Sequence, residues 1–355
     1  MKILTILSFL FLSTTFVQAK IWRVNNDATK DPDFNTVTAA ISAATVAAGD
    51  TIHIEPSSTV YAGFTLTKRL VIIGNGYFLT NNGGLQANIL TSDFGGNTIN
   101  INTSSANGSV ISGLVVGSVI LTNASNITIS HCLINSLRAI SYTTVGVGIT
   151  IKKCFISFMD SGNSFSGIGD VTFTIENNIF SSQVDQNPVT VSFLNTSRGL
   201  FRNNTLNTGL NSVILNNFYI SNNIFTVNVS QALGGNNNII RNNLNAGSGI
   251  VNSGGNVNNL NSVDMVATLV GPLTGTGPTA TGDLRFQIKS GSPAVGAGET
   301  IGTVTNPACG AIGATDPYRL SGIPPVPSIY LLTVPGSVSP AATSMDITIS
   351  TRSNN

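Results

Sequence analysis

The sequence predicts an all-β solenoid, in which short strands stack coil upon coil. A six-residue phrase, built as apolar, polar, Asn, Asn, apolar, apolar or a close variant, recurs six times. The phrases begin at Ile129, Ile151, Ile175, Phe201, Ile220 and Ile240, and subtraction gives spacings of 22, 24, 26, 19 and 20 residues. A repeat of about twenty residues is typical of stacked architectures, because a single unit cannot bury its apolar face alone.

The composition of the phrase explains why each repeat would be one coil. Ile and Phe suit a pleated surface, whereas Asn tolerates left-handed backbone and ends a strand. Each repeat therefore contains a strand, a sharp corner and a second strand. Because stacked strands lie about 4.8 Å apart, equivalent residues should form ladders. The fourth phrase position predicts an inward ladder at the corner, formed by Cys132, Cys154, Asn178, Asn204, Asn223 and Asn243.

This pattern resembles the right-handed parallel β-helix of the pectate-lyase-like superfamily. Three later segments, residues 284–288, 292–296 and 309–313, resemble the closing part of exported β-helix proteins of Bacteroidetes-type bacteria. The resemblance implies one β-helix over residues 20–318, with a short N-terminal capping helix. It is informative about the fold but much less about activity, because one fold hosts many functions.

The first nineteen residues have the features of a secretory signal peptide. Lys2 supplies a positive start, residues 3–12 form the apolar part, and residues 17–19 read as a small-residue cleavage site. We therefore expect an exported protein, either secreted or at the cell surface, with a mature chain from Lys20. An uncleaved signal anchor is the alternative.

A short helix is predicted after residues 21–24, which read as the first strand. Asn35 is the expected N-cap, Gly49 ends the run, and apolar residues between them recur at helical spacing at Val37, Ala40, Ile41 and Ala44. Such a helix would cover the open end of the first coil, which otherwise exposes apolar core and unpaired strand edges. In the strand that follows, Ile52 and Ile54 should point inward and His53 outward.

The remaining coils are less regular. Residues 89–90, 99–101, 110–111 and 115–121 are candidate strands, and residues 246–283 lose the phrase. Residues 319–355 read as a Pro-rich linker followed by a β-hairpin, with strands at 329–334 and 345–350. This hairpin either packs on the last coil as a cap or docks a protein partner, and we favour the cap.

Charge and composition exclude some function classes. Lys and Arg number 16 against 15 Asp and Glu, so the net charge is +1 and gives no basic excess for a nucleic-acid partner. Charged residues make up only 9% of the chain. After the predicted signal peptide, no apolar run is long enough to span a bilayer.

The three cysteines leave two interpretations open. Cys132 and Cys154 should stack on adjacent coils, close enough in principle for a disulfide. They could also be two buried thiols that continue the asparagine ladder, and we favour this second interpretation. Cys309 would then also be a free or buried thiol.

The second phrase position is the most informative surface feature. It predicts an outer column of Ser130, Lys152, Glu176, Arg202, Ser221 and Arg241. One interpretation is a cleft for an acidic glycan, with Lys153, Glu176 and Arg202 as candidate catalytic residues and Lys152 and Arg241 as ligand-binding residues. The other is a solvated face of alternating charge, which adds little stability. We favour the second.

The resemblance also sets requirements for catalysis. Lyases of this kind need clustered acidic calcium ligands and a basic residue, and the related hydrolases need close carboxylates. Acids are sparse in the regular coils, and no two share a phrase position: Asp160, Asp170, Glu176 and Asp185. With only two histidines in the chain, a His-based metal site or triad is not expected either. We expect no cofactor, with calcium relevant only if the protein is a lyase.

Together these observations predict an exported, non-catalytic protein of the cell surface or extracellular space that binds polysaccharide. Two alternatives stay open. One is a polysaccharide lyase or glycoside hydrolase acting on an acidic glycan. The other is a structural or assembly subunit that docks a partner through its C-terminal hairpin.

Overall fold

The computed structural model describes residues 19–140, 142, 146–160, 171–181, 190–192, 197–207, 213–227, 233, 236–273, 282–313 and 316–354. The predicted signal peptide lies outside the described residues except for its last position. Asp170 and Asp185, two of the acids considered above, also lie outside them.

Short strands dominate the described chain. Strands β1–β12 are Ile21–Val24, Thr51–Ile54, Phe64–Leu66, Val71–Ile73, Thr98–Ile101, Val110–Ser112, Val115–Leu121, Thr128–Ser130, Leu133–Ala139, Gly146–Lys152, Phe155–Ile156 and Phe158–Asp160. Strands β13–β24 are Val171–Glu176, Ile179–Ser181, Thr190–Ser192, Ser197–Arg202, Thr205–Asn207, Val213–Ile214, Phe218–Ser221, Ile224–Phe225, Ile239–Arg241, Leu244–Asn245, Ser328–Thr333 and Thr348–Arg352. The α-helices are Val37–Ser42 (α1) and Met265–Thr268 (α2), and the 3-10 helices are Ala28–Lys30, Ser104–Ala106, Leu284–Phe286 and Leu320–Gly322.

The strands form two parallel sheets that run the length of a solenoid. The first sheet has ten strands in the order β1-β2-β4-β6-β8-β10-β13-β16-β19-β21. The second has twelve, and at β9 it divides into one branch through β11 to β22 and another through β12, β15 and β18. The predicted all-β fold of stacked parallel coils is confirmed.

An inward column of isoleucines explains why the first sheet stacks in this register. Ile52, Ile72 and Ile111 occupy equivalent positions in successive coils, and the column continues through the first position of every phrase, where Phe201 is the one residue other than Ile. All three are completely buried. Since side chains alternate across a strand, the residues on either side of this column point outward.

Each corner depends on a left-handed residue at the third phrase position. All six have positive φ, between 52° and 58°: His131, Lys153, Asn177, Asn203, Asn222 and Asn242. Asn adopts this conformation more readily than most residues. His131 and Lys153 therefore occupy corners where the other four coils carry Asn.

The predicted asparagine ladder is confirmed and is longer than expected. Asn178 Nδ2 donates to Asn204 Oδ1 at 3.0 Å, and Asn204 Nδ2 donates to Asn223 Oδ1 at 3.1 Å. The same contact continues from Asn223 to Asn243, Asn259 and Asn252. Because each amide also donates to a backbone carbonyl of an earlier coil, these buried polar groups are satisfied and hold the coils in register.

The cysteines continue this ladder as free thiols, as favoured above. The Cys154 backbone N–H donates to Asn178 Oδ1 at 3.0 Å, and the Cys132 backbone N–H approaches Cys154 Sγ at 3.5 Å. Burial raises the pKa of the Cys154 thiol well above its ordinary value. Both side chains therefore serve as small, neutral fillers of the corner.

The N-terminal helix exists, but its predicted start was wrong by one residue. The N-cap is Thr36, whose Oγ1 accepts a hydrogen bond from the Ala39 backbone N–H at 3.1 Å. Helix α1 ends at Ser42, before the predicted limit. Its buried residues, Val37, Ala40 and Ile41, join the main core at the β1 end of the first sheet.

One of the four strands predicted between residues 75 and 126 is absent. Ile89 and Leu90 form no strand and are 53% and 42% exposed. The other three correspond to β5, β6 and β7. An apolar pair without alternation does not by itself distinguish a strand from an exposed loop.

A segment that follows the last coil returns along the outside of the solenoid. We call residues 282–313 and 316–327 the return segment. Gly310 N donates to Asn222 O at 2.8 Å, Asn177 Nδ2 donates to Asp316 O at 2.7 Å, and Gly322 lies against the His131 carbonyl. The described residues from Gly310 to Gly322 therefore pass the coils in reverse order, whereas Asp283, near the start of the segment, lies beside Asn82 of an early coil.

The return segment explains the apolar residues at the fifth phrase position, which point outward. Leu133, Phe155, Ile179, Ile224 and Leu244 form a second core with Phe286, Ala294, Cys309, Ala311 and Tyr318 of the return segment. The sixth phrase position instead points into the main core. The strands of this branch are thus buried on both faces.

The C-terminal hairpin is present as the antiparallel pair β23–β24, but it does not lie on the last coil. Its Ile329 carbonyl accepts a hydrogen bond from Ala87 N at 2.9 Å, and Arg352 donates to the Leu85 carbonyl. The prediction of a cap on the last coil was wrong, because the return segment carries the hairpin back to the coils near the N-terminus.

Candidate functional site

The outer face of the first sheet carries two in-register columns of side chains. The second phrase position forms one column, as predicted: Ser130, Lys152, Glu176, Arg202, Ser221 and Arg241. Two residues earlier in each strand lies a second column: Thr128, Thr150, Thr174, Leu200, Tyr219 and Ile239. We call these two columns the ladder face. Its elements repeat about every 4.8 Å along the solenoid axis.

The charged residues of the ladder face are partly neutralised by neighbours. Arg202 Nη2 lies 2.8 Å from Glu176 Oε2, so these two predicted site residues form an ion pair between adjacent coils. Lys152 Nζ lies 3.7 Å from Asp316 Oδ2. Arg241 Nε donates to the Gly255 carbonyl at 3.1 Å. The charged column contains three cations, Lys152, Arg202 and Arg241, and one acid, Glu176. Within the column, only Arg202 and Glu176 form an ion pair with each other.

Lys153 does not share an open cleft with Glu176 and Arg202. As a left-handed corner residue it points toward the return segment, where its ammonium pairs with the Asp316 carboxylate. The Lys153 side chain is 10% exposed, against 58% for Asp316. Partial burial alone would raise the pKa of Asp316, but the hydrogen bond and charge of Lys153 outweigh it and lower that pKa.

His131 occupies the same kind of corner one coil earlier and is 4% exposed. Burial, together with the charges of Lys153 and Lys152, lowers the pKa of His131 to about 3. Its Nδ1 lies 3.5 Å from Ser112 Oγ. His131 is therefore a neutral, buried side chain at neutral pH, and it is poorly placed to exchange protons with a ligand on the ladder face.

A buried polar cluster joins the start and the end of the return segment. The Asp283 carboxylate accepts hydrogen bonds from Tyr318 Oη at 2.7 Å, Asn82 Nδ2 at 2.8 Å and Ser321 N at 2.7 Å. Tyr318 Oη also lies 2.7 Å from Tyr77 Oη. Burial raises the pKa of Asp283. Because every member of this cluster is buried, we infer that its hydrogen bonds anchor the return segment to the solenoid.

The acids near the ladder face do not converge on one another. Glu176 is paired with Arg202, Asp316 with Lys153, and Glu299 accepts a hydrogen bond from Tyr219 Oη at 2.7 Å. Among the described residues, no group of three or more His, Cys, Asp or Glu side chains could hold a metal ion. The two α-helices of the described chain have six and four residues, and neither could span a bilayer.

Comparison with known proteins does not assign the chain to a family. No protein-family model matches the chain, and no curated protein matches it.

Sequence reasoning found the charged column but missed its threonine and tyrosine neighbours. It also missed Asp316 and Glu299, which approach the face from the return segment. A usable signal for the threonine column was present, since Thr128, Thr150 and Thr174 each precede the first phrase residue. No local pattern indicates the contacts of Asp316, because those with Asn177 and Lys153 span 139 and 163 residues.

Proposed function

We propose that the protein is an exported, non-catalytic β-helix protein that binds polysaccharide along its ladder face. The observation that carries this proposal is the stacking of hydroxyl and charged side chains in two in-register columns on a long sheet. Leu200 and Ile239 interrupt one column, and Ser130 and Ser221 of the other are buried. A polymer of repeating units can engage such a surface through several equivalent contacts, as extended repeat proteins do with their partners.

The chemistry of the ladder face fits a hydroxylated chain that bears some negative charge. Thr150 and Thr174 offer hydroxyl groups, while Lys152 and Arg241 offer cations at two separate coils; the Tyr219 hydroxyl already donates to Glu299. Among the described residues, Glu176 is paired with Arg202 rather than placed opposite another acid, which favours binding over glycosidic hydrolysis. The signal-like first nineteen residues and the resemblance to pectate-lyase-like β-helices support an extracellular setting with polysaccharide as ligand.

Affinity electrophoresis in gels that contain pectate, alginate or a neutral glucan tests this proposal. We expect retardation of the mature chain by at least one polysaccharide, and about tenfold weaker binding in the double variant Lys152→Ser, Arg241→Ser, since loss of about 1.4 kcal/mol corresponds to a factor of ten. Lys30→Ser, which removes an exposed cation far from the ladder face, serves as the matched control. Equal retardation of all three proteins would contradict the proposal.

A parallel assay separates binding from catalysis. Incubation with pectate or alginate, with and without calcium, should give no increase in ultraviolet absorbance from unsaturated uronate products. An increase that Lys153→Ala or Glu176→Ala abolishes would replace the proposal with a polysaccharide lyase.

A second candidate function is that of an assembly subunit, and the C-terminal hairpin favours it. Both strands of the hairpin expose large apolar side chains, from 37% at Tyr330 to 57% at Ile349. Contiguous exposed apolar surface of this kind is typical of interaction sites.

A further inference from the structure

We propose that the C-terminal ribbon, β23 with β24 and their flanking residues, is a self-association surface through which two copies of this chain pack face to face. The proposal rests on the second candidate function and is independent of glycan binding.

The two faces of the ribbon differ in polarity. Ile329, Leu332 and Ile349 lie on one face, because Leu332 is paired with Ile349 and Ile329 with Thr351 across the ribbon. Alternation beyond the strand ends adds Val334, Ile347 and Met345 to the same face. We call these six residues the apolar ribbon face. Each of them is between 44% and 57% exposed.

The opposite face is mainly polar. Thr333, Thr348 and Ser350 lie on it, but so does Leu331, which is paired with Ser350 and is 45% exposed. The Arg352 guanidinium lies over the Tyr330 ring, 5.3 Å from its centroid. An isolated two-stranded ribbon is marginal in water and needs a covering layer on its apolar side.

The solenoid supports only the base of the apolar ribbon face. A cleft of about 560 Å³ separates Ile329 and Leu332 from Ile89, Ile323 and Pro324. The hydrogen bond between Ala87 N and the Ile329 carbonyl fixes the ribbon beside this cleft. Within the described part of the chain, the outer residues of the face keep about half of their surface in solvent.

The surface that covers the apolar ribbon face must match its chemistry, and the same ribbon of a second copy of this chain does so. The apolar ribbon face carries no charge, and the lining of the cleft includes no Lys, Arg, Asp or Glu. The partner surface must therefore be apolar, extended and uncharged. The same ribbon of a second molecule has all three properties, and a two-fold axis would let each ribbon cover the other as the second layer of a small β-sandwich.

The available area is sufficient for a weak, specific dimer. Covering about half of six large side chains on each copy buries roughly 1,000 Å² in total, the lower limit for a specific interface. We therefore expect reversible dimerisation in the micromolar range, with the cleft receiving side chains of the partner ribbon.

Sedimentation equilibrium of the mature chain over a range of concentrations tests the proposal. We expect a monomer–dimer equilibrium that Ile349→Ser with Ile347→Ser weakens at least about tenfold, a loss of about 1.4 kcal/mol. Thr348→Ala, on the polar face of the same ribbon, is the matched control and should dimerise as the wild type does. Val266→Ser, at an apolar residue 76% exposed but far from the ribbon, should also leave the dimer unchanged.

A wild type that remains monomeric up to its solubility limit overturns the proposal, as does a double serine variant that dimerises with unchanged affinity. Circular dichroism melts of each variant establish that the solenoid is intact. Retardation by polysaccharide should be the same for the wild type and the double serine variant, so failure of self-association and failure of glycan binding are distinguishable.

Discussion

Replacing His131 by Asn should make the protein less sensitive to acid. His131 is buried at a left-handed corner, and four equivalent corners carry Asn. Burial and the neighbouring charges of Lys153 and Lys152 lower its folded-state pKa to about 3. In the unfolded chain a histidine has a pKa of about 6.5. Between these two values the unfolded state binds a proton that the folded state does not.

The sign and size of the effect follow from this difference. The unfolded state holds more protons below about pH 6.5, so stability decreases as the pH falls, by about 1.4 kcal/mol for each pH unit. At about pH 5 the loss attributable to His131 is about 2 kcal/mol, and it is complete only near the folded-state pKa. Asn does not titrate and is well suited to the left-handed conformation.

Urea unfolding of the wild type and His131→Asn, each at about pH 8 and about pH 5, measures this quantity. The free energy of unfolding of the wild type should fall by about 2 kcal/mol more than that of the variant between the two conditions. Acid-sensitive carboxylates such as Asp316 are present in both proteins and cancel in the double difference. Equal pH dependence in the two proteins would refute the assignment of His131 as a buried, neutral group.

Other changes test the remaining parts of the structure. Asn204→Ala should lower the free energy of unfolding by at least about 3 kcal/mol, because it leaves the buried amide and backbone N–H of the preceding ladder residue without an acceptor; Asn81→Ala, at an exposed asparagine outside the left-handed region, should cost less than about 0.5 kcal/mol in the same urea titration. Phe286→Ala, in the second core, should cost about 3–5 kcal/mol and accelerate hydrogen exchange in the return segment more than in the first sheet. Asp316→Asn should lower the melting temperature at neutral pH, and this difference should disappear as the pH falls through the lowered pKa of the carboxyl group. The three buried cysteines should resist alkylation in the folded protein and react after unfolding, as mass spectrometry would show.

The coils could be predicted from sequence because their determinants are local and periodic. Ile151 and Asn178 each belong to columns that repeat with the phrase, so a single alignment of the repeats assigns their direction. The N-cap was misplaced because Asn35 and Thr36 are both good capping residues, and only the hydrogen bond of Thr36 decides between them.

The return segment could not be predicted in this way, because its contacts join distant residues without any period. One feature of the sequence nevertheless indicates that the return segment covers the coils. Phe155 and Ile156 are consecutive apolar residues, and because such a pair recurs at the fifth and sixth positions of most phrases, it indicates a strand covered on both faces. Lys153 aligns with the corner residue Asn177 in the phrase, a signal that the prediction of Lys153 in a cleft with Glu176 did not use. Its partner Asp316 lies in a part of the chain that no repeat connects to it.

Hydrogen exchange of the chain from Lys20, with and without a polysaccharide that retards it, tests the assignment of the ladder face most directly. Binding should slow exchange in peptides from Gly146–Lys152, Val171–Glu176, Ser197–Arg202 and Phe218–Ser221, and should leave the C-terminal ribbon unchanged. Protection confined to other parts of the chain, with these four strands unaffected, would show that the polysaccharide binds elsewhere and would contradict the proposed function of the ladder face.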